Sequence, residues 1–313
     1  MSTDACPRYI WFNGEVRAYE SATVHVSALG HATVSAVYEG IRAYWNSTDR
    51  QLYLFKLGEH MQRLFESIKI VRLKPRFTPE QLMAGLADLL RANEYRRDAY
   101  VLPMAFLGGI GRAFSQPEFH RPTEIVMESW ALDSILPAGQ GISCGVSSWV
   151  RLSDAQMPPR VKCVSNYHNG RLASMQAQVD GYDQALLLNQ HGQVAEAPGA
   201  CVFIVRHGIP ITPPVTAGIL ESITRRTIME LSADLLGVPV QERDLDRTEL
   251  YVADEVFLCG TGFEITPVTS VDRFPVGDGR VGPVTRRLSE AYHDVVRGMD
   301  GRFPAWRTAV WGD

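Results

Sequence analysis

The 313-residue chain reads as an α+β protein built from two domains. Three observations predict this. Short β-type runs bounded by turn residues alternate with amphipathic helical periods along the whole length. Each half carries both kinds of element, with the sheets mixed or antiparallel. A turn-rich stretch, Leu136-Pro-Ala-Gly-Gln-Gly141, separates the halves, which places the domains at 1–132 and 142–313 and the linker at 133–141.

The elements follow in order. Tyr9-Ile-Trp-Phe12 with Asn13-Gly14 predicts a hairpin. Leu52–Lys56 is strand-like. From Glu59, the apolar residues Met61, Leu64, Phe65, Ile68 and Val71 share one helical face, and Pro75 marks the stop. Thr78-Pro79-Glu80-Gln81 opens a second helix with a capping box and a proline at its first position. Tyr100–Phe106 and Ile125–Trp130 read as strands, and Pro103 predicts an edge or a bulge for the first of them.

In the second half, Ile142–Trp149 is a strand, and 169–180 is a helix stopped by Gly181. Strands at 184–189, 194–196 and 201–205 follow, the last two flanking an Ala197-Pro198-Gly199 turn. A helix at Ser222–Leu236 ends at the C′ glycine Gly237. Glu255–Cys259 is a buried strand running into Gly260-Thr261-Gly262, and the tail from Pro283 is a helix and then an irregular end bearing Trp306 and Trp311.

Composition narrows the function. A net charge of −4 without long runs lacks the basic footprint of a nucleic-acid binder. No stretch is long and apolar enough for a membrane span, and the N-terminus lacks the apolar core of a signal peptide. The five cysteines contain no C-x-x-C pair, so reduced thiols in a cytoplasmic protein are expected rather than disulfides or zinc, and the Asn46-Ser47-Thr48 sequon carries no weight there. The histidines lack metal-binding spacing, so no metal is expected. Gly108-Gly109-Ile110-Gly111 precedes no long helix and reads as a turn, not a dinucleotide loop. No G-x-S-x-G elbow occurs. Lys162, in Pro158-Pro-Arg-Val-Lys-Cys-Val-Ser-Asn-Tyr167, is placed by its flanking prolines on a loop or strand end.

Eight strings occur in order: Ile10-Trp-Phe-Asn-Gly14, Val37-Tyr-Glu-Gly-Ile-Arg42, Glu59-His-Met-Gln-Arg-Leu64, Lys162 with Asn166-Tyr167, Glu196, Gly218-Ile219 through Ile223-Thr-Arg225, Tyr251-Val-Ala-Asp-Glu-Val-Phe257, and Gly260-Thr261 with Glu264-Ile-Thr-Pro-Val268. In these the chain resembles the fold-type IV enzymes that use pyridoxal 5′-phosphate (PLP), and among them the branched-chain amino acid aminotransferases, from about Ile10 to Leu288. The resemblance implies a smaller N-terminal α/β sandwich domain and a larger C-terminal domain with a β pseudo-barrel that carries the PLP lysine. It implies transfer of an amino group between an apolar L-amino acid and a 2-oxo acid, in a homodimer or higher homo-oligomer.

The resemblance also assigns roles. Lys162 would hold PLP as a Schiff base and shuttle the substrate proton. Glu196 would accept from the pyridine nitrogen, which keeps the ring a better electron sink. Arg63 would bind the cofactor phosphate with Thr224 and Thr261, beside Ile223 at a helix start that favours anions. Tyr167 would bond the phenolic oxygen. Tyr38, Arg42, Tyr100, Trp130, Thr261 and Gly262 match substrate-lining positions. Helical phase alone puts Arg63 on the surface, and Glu196 alone would be a hairpin carboxylate.

The chain departs from the pattern at four places. Leu102 stands where the family has an arginine that accepts a second carboxylate, Thr33 replaces a tyrosine, and Pro198 and Cys201 interrupt the segment after Glu196. Losing a bidentate arginine predicts that glutamate is not the preferred donor, or is held differently. The alternative is another reaction on the same scaffold: a D-amino acid or R-amine transaminase, or an aminodeoxychorismate-type lyase.

Overall fold

The Asn13-Gly14 pair does what its chemistry predicts. Both residues take positive φ, 51° and 103°, and join two strands in the register Phe12↔Glu15. The structure, a computed structural model, describes residues 6–109, 121–134, 136 and 139–312. The predicted turn at 108–111 and the linker at 133–141 therefore lie partly outside the described residues.

The chain folds as two units. The first comprises residues 1–133, 161–165 and 295–313; the second comprises 134–160 and 166–294. The lysine-bearing segment, expected in the C-terminal domain, thus belongs to the first unit, as does the C-terminal tail. Local pattern cannot reveal this, because both segments join the first unit through long-range strand pairing.

In the first unit the elements are β1 (Tyr9–Phe12), β2 (Glu15–Ala18), α1 (Leu29–Val34), β3 (Val37–Tyr38), β4 (Ile41–Asn46), β5 (Gln51–Phe55), α2 (Leu57–Ile70), α3 (Pro79–Ala92), β6 (Ala99–Leu107) and β7 (Thr123–Ala131). The sheet runs β5-β4-β6-β7-β1-β2, with β3 beside β6. The tail is not irregular: Arg307–Ala309 forms a strand that pairs with β5 and covers what would otherwise be an open edge. The apolar stripes of α2 and α3 (Met61, Leu64, Leu82, Leu86, Leu89) pack with Leu54, Val101 and Ile125 of the sheet. The α3 capping box forms as predicted, with Thr78 accepting from Gln81 N–H and Gln81 accepting from Thr78 N–H.

Pro103 is a correction. It sits in an interior strand, not at an edge. Its carbonyl accepts from Glu39 N–H at 2.9 Å, so the side from which its own N–H is missing faces the Glu39-Gly40 break between β3 and β4, where no ladder partner is lost. Gly40 is required at that break. A Cβ there would lie 1.6 Å from the Tyr100 hydroxyl.

The second unit holds β8 (Ile142–Val150), α4 (Tyr167–Val179), β9 (Gln184–Leu188), β10 (Glu196–Ala197), β11 (Ala200–Arg206), β12 (Ile209–Thr212), α5 (Ile223–Leu236), β13 (Gln241–Glu242), β14 (Glu255–Gly260), β15 (Glu264–Val271), β16 (Phe274–Pro275) and α6 (Pro283–Arg297), whose last turn from Val295 belongs to the first unit. The strand order is β13-β12-β11-β14-β15-β8-β9, with β10 on β11. Ala195 N–H donates to Leu187 at 2.9 Å, and Leu188 bridges Val194, so β9 meets the chain that leads into β10. The sheet thereby curls back on itself as a pseudo-barrel around Val202, Ile204, Val256, Leu258 and Val268.

Candidate active site

Lys162 is placed by a strand-like register. Tyr38 N–H donates to the Lys162 carbonyl at 3.0 Å, Val164 N–H donates to Ala36, and Val37 bridges Cys163. Side chains alternate along an extended segment. Val161 and Cys163 enter the core, so Lys162 points to the opposite face, where its Nζ lies 4.6 Å from the centroid of the Tyr38 ring. The Ser67 hydroxyl of α2 accepts from Lys162 N–H at 3.3 Å.

One helical turn before Ser67 lies Arg63. It is buried, not on the surface as helical phase predicts, because Glu39 is buried beside it. Arg63 Nε and Nη2 donate to the two Glu39 oxygens at 2.8 and 2.7 Å, a bidentate pair, and His60 Nδ1 lies 2.7 Å from Glu39 Oε2. Burial alone would raise the Glu39 carboxyl, but the Arg63 guanidinium and the His60 bond bring it down to about 2. Burial lowers His60 against the pull of Glu39, so the imidazole is neutral at pH 7 and donates Nδ1–H to the carboxylate.

A second face of the first unit carries the other predicted residues. Along β6 the residues Tyr100, Leu102 and Met104 alternate with core residues and point the other way. Tyr38 pairs with Met104, and Tyr100 pairs with Trp130, their rings 4.9 Å apart. Arg42 pairs with Tyr100, but its guanidinium turns to the chain after β7, donating to the carbonyls of Leu132 at 2.5 Å and Asp133 at 3.2 Å. Leu102 stands directly opposite Glu128, whose carboxylate accepts from the Tyr19 hydroxyl at 3.1 Å.

In the second unit the remaining residues gather round the β10–β11 hairpin. Glu196 is buried. Its Oε1 lies 2.7 Å from Arg151 Nη2, and its Oε2 accepts from Leu220 N–H at 3.1 Å. Arg151 is itself fixed by donating Nε–H to the Gly218 carbonyl. Cys201 pairs with Glu196 across the hairpin and places its Sγ 4.0 Å from Oε2. A Cβ on Gly199 would lie 4.0 Å from the Tyr167 ring, and one on Gly260 would strike the Gly199 carbonyl, so the Thr261-Gly262 turn and α4 both approach the hairpin. Two residues after Leu220, the Ser222 hydroxyl caps α5 by accepting from Arg225 N–H. That leaves the N–H groups of Ile223 and Thr224, the first two of the helix, for an anion.

Sequence reasoning missed Glu39, His60, Ser67, Glu128 and Arg151. Glu39 and His60 lie inside quoted strings, which was the available signal. Arg151 and Glu128 had none.

The first unit thus offers an amine presented away from its core and a clamped arginine, and the second a buried carboxylate with its own counter-ion and a helix start suited to an anion, groups of the kind a PLP enzyme of fold type IV needs. The comparisons agree. The description of the class IV amino-transferases matches residues 36–271, and the chain belongs to that family: it is a PLP-dependent aminotransferase. It is 37% identical to a probable branched-chain-amino-acid aminotransferase of Aquifex aeolicus, over 97% of each chain. It is 38% identical to the branched-chain-amino-acid aminotransferase of Escherichia coli K12, over 93% of each. The crystal structure of the Thermobaculum terrenum branched-chain amino acid aminotransferase in its PLP form superposes with a TM-score of 0.94, at 45% identity, covering 98% of this chain and 99% of that one.

Proposed function

We propose that the chain exchanges an amino group between an apolar, branched-chain-like L-amino acid and a 2-oxo acid, with Lys162 as the residue that carries the cofactor. One observation carries the assignment of the lysine. Its neighbours Val161 and Cys163 are locked in the core while its own amine is presented on the other face against Tyr38.

When bound, PLP supplies an electron sink conjugated to the substrate α-carbon. The protein supplies the rest. Lys162 Nζ would carry the proton taken from the substrate Cα. Glu196, with Arg151 as counter-ion, would accept from the pyridine nitrogen. Arg63, clamped by Glu39, would hold the phosphate, as would the N–H groups of Ile223 and Thr224 with Thr261. Tyr167 would donate to the phenolic oxygen. Tyr38, Tyr100, Leu102 and Trp130 form an apolar wall for the substrate side chain, and Gly262 is assigned to the substrate as well. Arg42 acts by holding the end of β7, and hence Trp130, in place.

The working form is a homodimer or higher homo-oligomer in the cytoplasm. The exposed apolar residues Val24, Val26, Leu29 and Val34 suit such an interface. Among the described residues no helix is long and apolar enough to cross a membrane. Light scattering of the purified protein checks the oligomer; a monomer at micromolar concentration contradicts it.

A half-reaction screen tests the activity. The yellow absorbance of the loaded enzyme is followed with a panel of L-amino acids, D-amino acids and amines, and the aminated form is then titrated with 2-oxo acids. L-leucine, L-valine and L-isoleucine should bleach it fastest. Bleaching only by D-amino acids or amines refutes the L-specific reading.

A further inference from the structure

The face formed by Tyr38, Tyr100, Leu102, Met104 and Trp130 is apolar and aromatic, and two charged residues stand directly opposite members of it: Arg42, across from Tyr100 with its guanidinium tied to the Leu132 and Asp133 carbonyls, and Glu128. Glu128 stands in the middle of it on β7, directly across from Leu102 and two residues before Trp130. Directly opposed residues of an antiparallel pair lie on the same side of the sheet with their Cβ atoms about 5 Å apart. Whatever meets Leu102 therefore meets Glu128. The carboxylate is half-buried, and the Tyr19 hydroxyl holds it at 3.1 Å. The proximity of Glu128 is also the main reason that the Tyr19 phenol is raised above its ordinary value.

We propose that Glu128, held by Tyr19 and seated opposite Leu102, is a specificity-determining residue that turns acidic side chains away from this face and leaves it to neutral, apolar amino acids. The inference rests on the reading of Tyr38, Tyr100, Leu102 and Trp130 as the substrate wall. Two features then act in the same direction. Leu102 offers a second carboxylate no anchor, and Glu128 repels it. A like charge about 6 Å away in a half-buried setting lowers binding on the order of tenfold. A neutral side chain of the same size feels none of this.

The pair also predicts a non-additive result. An arginine placed at position 102 would lie directly across from Glu128 and form a cross-strand ion pair with it. The new guanidinium would then be taken by the protein's own carboxylate. Leu102→Arg alone should therefore improve glutamate recognition little, whereas Leu102→Arg together with Glu128→Gln should improve it strongly.

The test uses the PLP-loaded enzyme and two probes that differ in charge but not in size, L-glutamate and L-glutamine. Each is measured as a donor in the half-reaction or, where turnover is slow, as a competitor of L-leucine. Glu128→Gln should raise recognition of glutamate relative to glutamine about tenfold. The wild-type bias against glutamate should relax as salt is raised, and the variant's should not. The double variant should exceed the sum of the two single changes. An unchanged glutamate-to-glutamine ratio in Glu128→Gln, or a Leu102→Arg variant that gains glutamate recognition without the second change, overturns the proposal. Tyr100→Phe and Leu102→Ala separate the two levels. If neither alters L-leucine kinetics, this face is not the substrate wall and both readings fall. If they do alter it while Glu128→Gln leaves the ratio fixed, only the role of Glu128 falls.

Discussion

Among the described residues each unit carries an arginine–carboxylate pair whose carboxylate is buried, and the proposed site uses the two in opposite senses. In the first unit Arg63 is the group proposed to meet the ligand, and Glu39 behind it fixes the guanidinium through two bonds. In the second unit Glu196 is the group proposed to meet the ligand, and Arg151 behind it supplies the counter-charge. The difference lies in what each group does when its partner is removed. A carboxylate can take up a proton and become neutral. An arginine cannot lose one. The first pair is therefore the more fragile, and its carboxylate cannot be lost without leaving a bare cation beside the core.

Glu39→Ala is the sharpest way to break that comparison. Removing one partner of a buried pair destabilises by about 3–5 kcal/mol, because the remaining charge is uncompensated. Denaturant unfolding should show a loss of this size, with weakened PLP retention in whatever folds. A loss below about 1 kcal/mol would mean that Arg63 is solvated after all.

Arg151→Met should cost less, about 1–3 kcal/mol, because Glu196 keeps the Leu220 N–H and can protonate. The effect should therefore grow with pH in an unfolding series. A cost equal to that of Glu39→Ala at every pH would erase the distinction between the pairs.

Acid unfolding sharpens it further. The folded Glu39 value of about 2 lies below the ordinary 4.5. Its contribution is therefore complete above pH 4.5 and is lost as pH falls toward 2. His60 is also lowered from 6.5, so the unfolded chain takes up its proton first and stability declines as pH drops below 6.5. Wild type should lose stability in both windows, and Glu39→Gln should lose the slope between pH 4.5 and 2. An unaltered acid slope in that variant would contradict the assignment. The smallest expected change, Thr78→Ala, removes a helix cap far from either pair and should cost about 1 kcal/mol at all pH values between 5 and 8. It serves as the baseline for a hydrogen bond that involves no charge.

The two pairs also mark how far the sequence could be read. Features closed within a few residues were legible: the Asn13-Gly14 hairpin, the Thr78 cap and the Gly237 stop of α5. The residues proposed to face the ligand, Lys162, Arg63 and Glu196, were singled out through ordered strings. Their partners were not. Glu39 is 24 residues from Arg63, and Arg151 is brought to Glu196 by the curl of a sheet. Neither separation has a period that reading along the chain can detect. The same holds for the strand at Arg307–Ala309, which pairs with β5 across most of the chain length, and for the tolerance of Pro103 in an interior strand, which depends on a break in its neighbour.

Borohydride reduction of the PLP-loaded protein, followed by peptide mass mapping, tests the central claim most directly. The account predicts loss of the yellow colour and a single pyridoxyl label on the peptide that contains Lys162, with no label and no amino transfer in Lys162→Ala. A label on any other lysine, or amino transfer at the wild-type rate in Lys162→Ala, would contradict it.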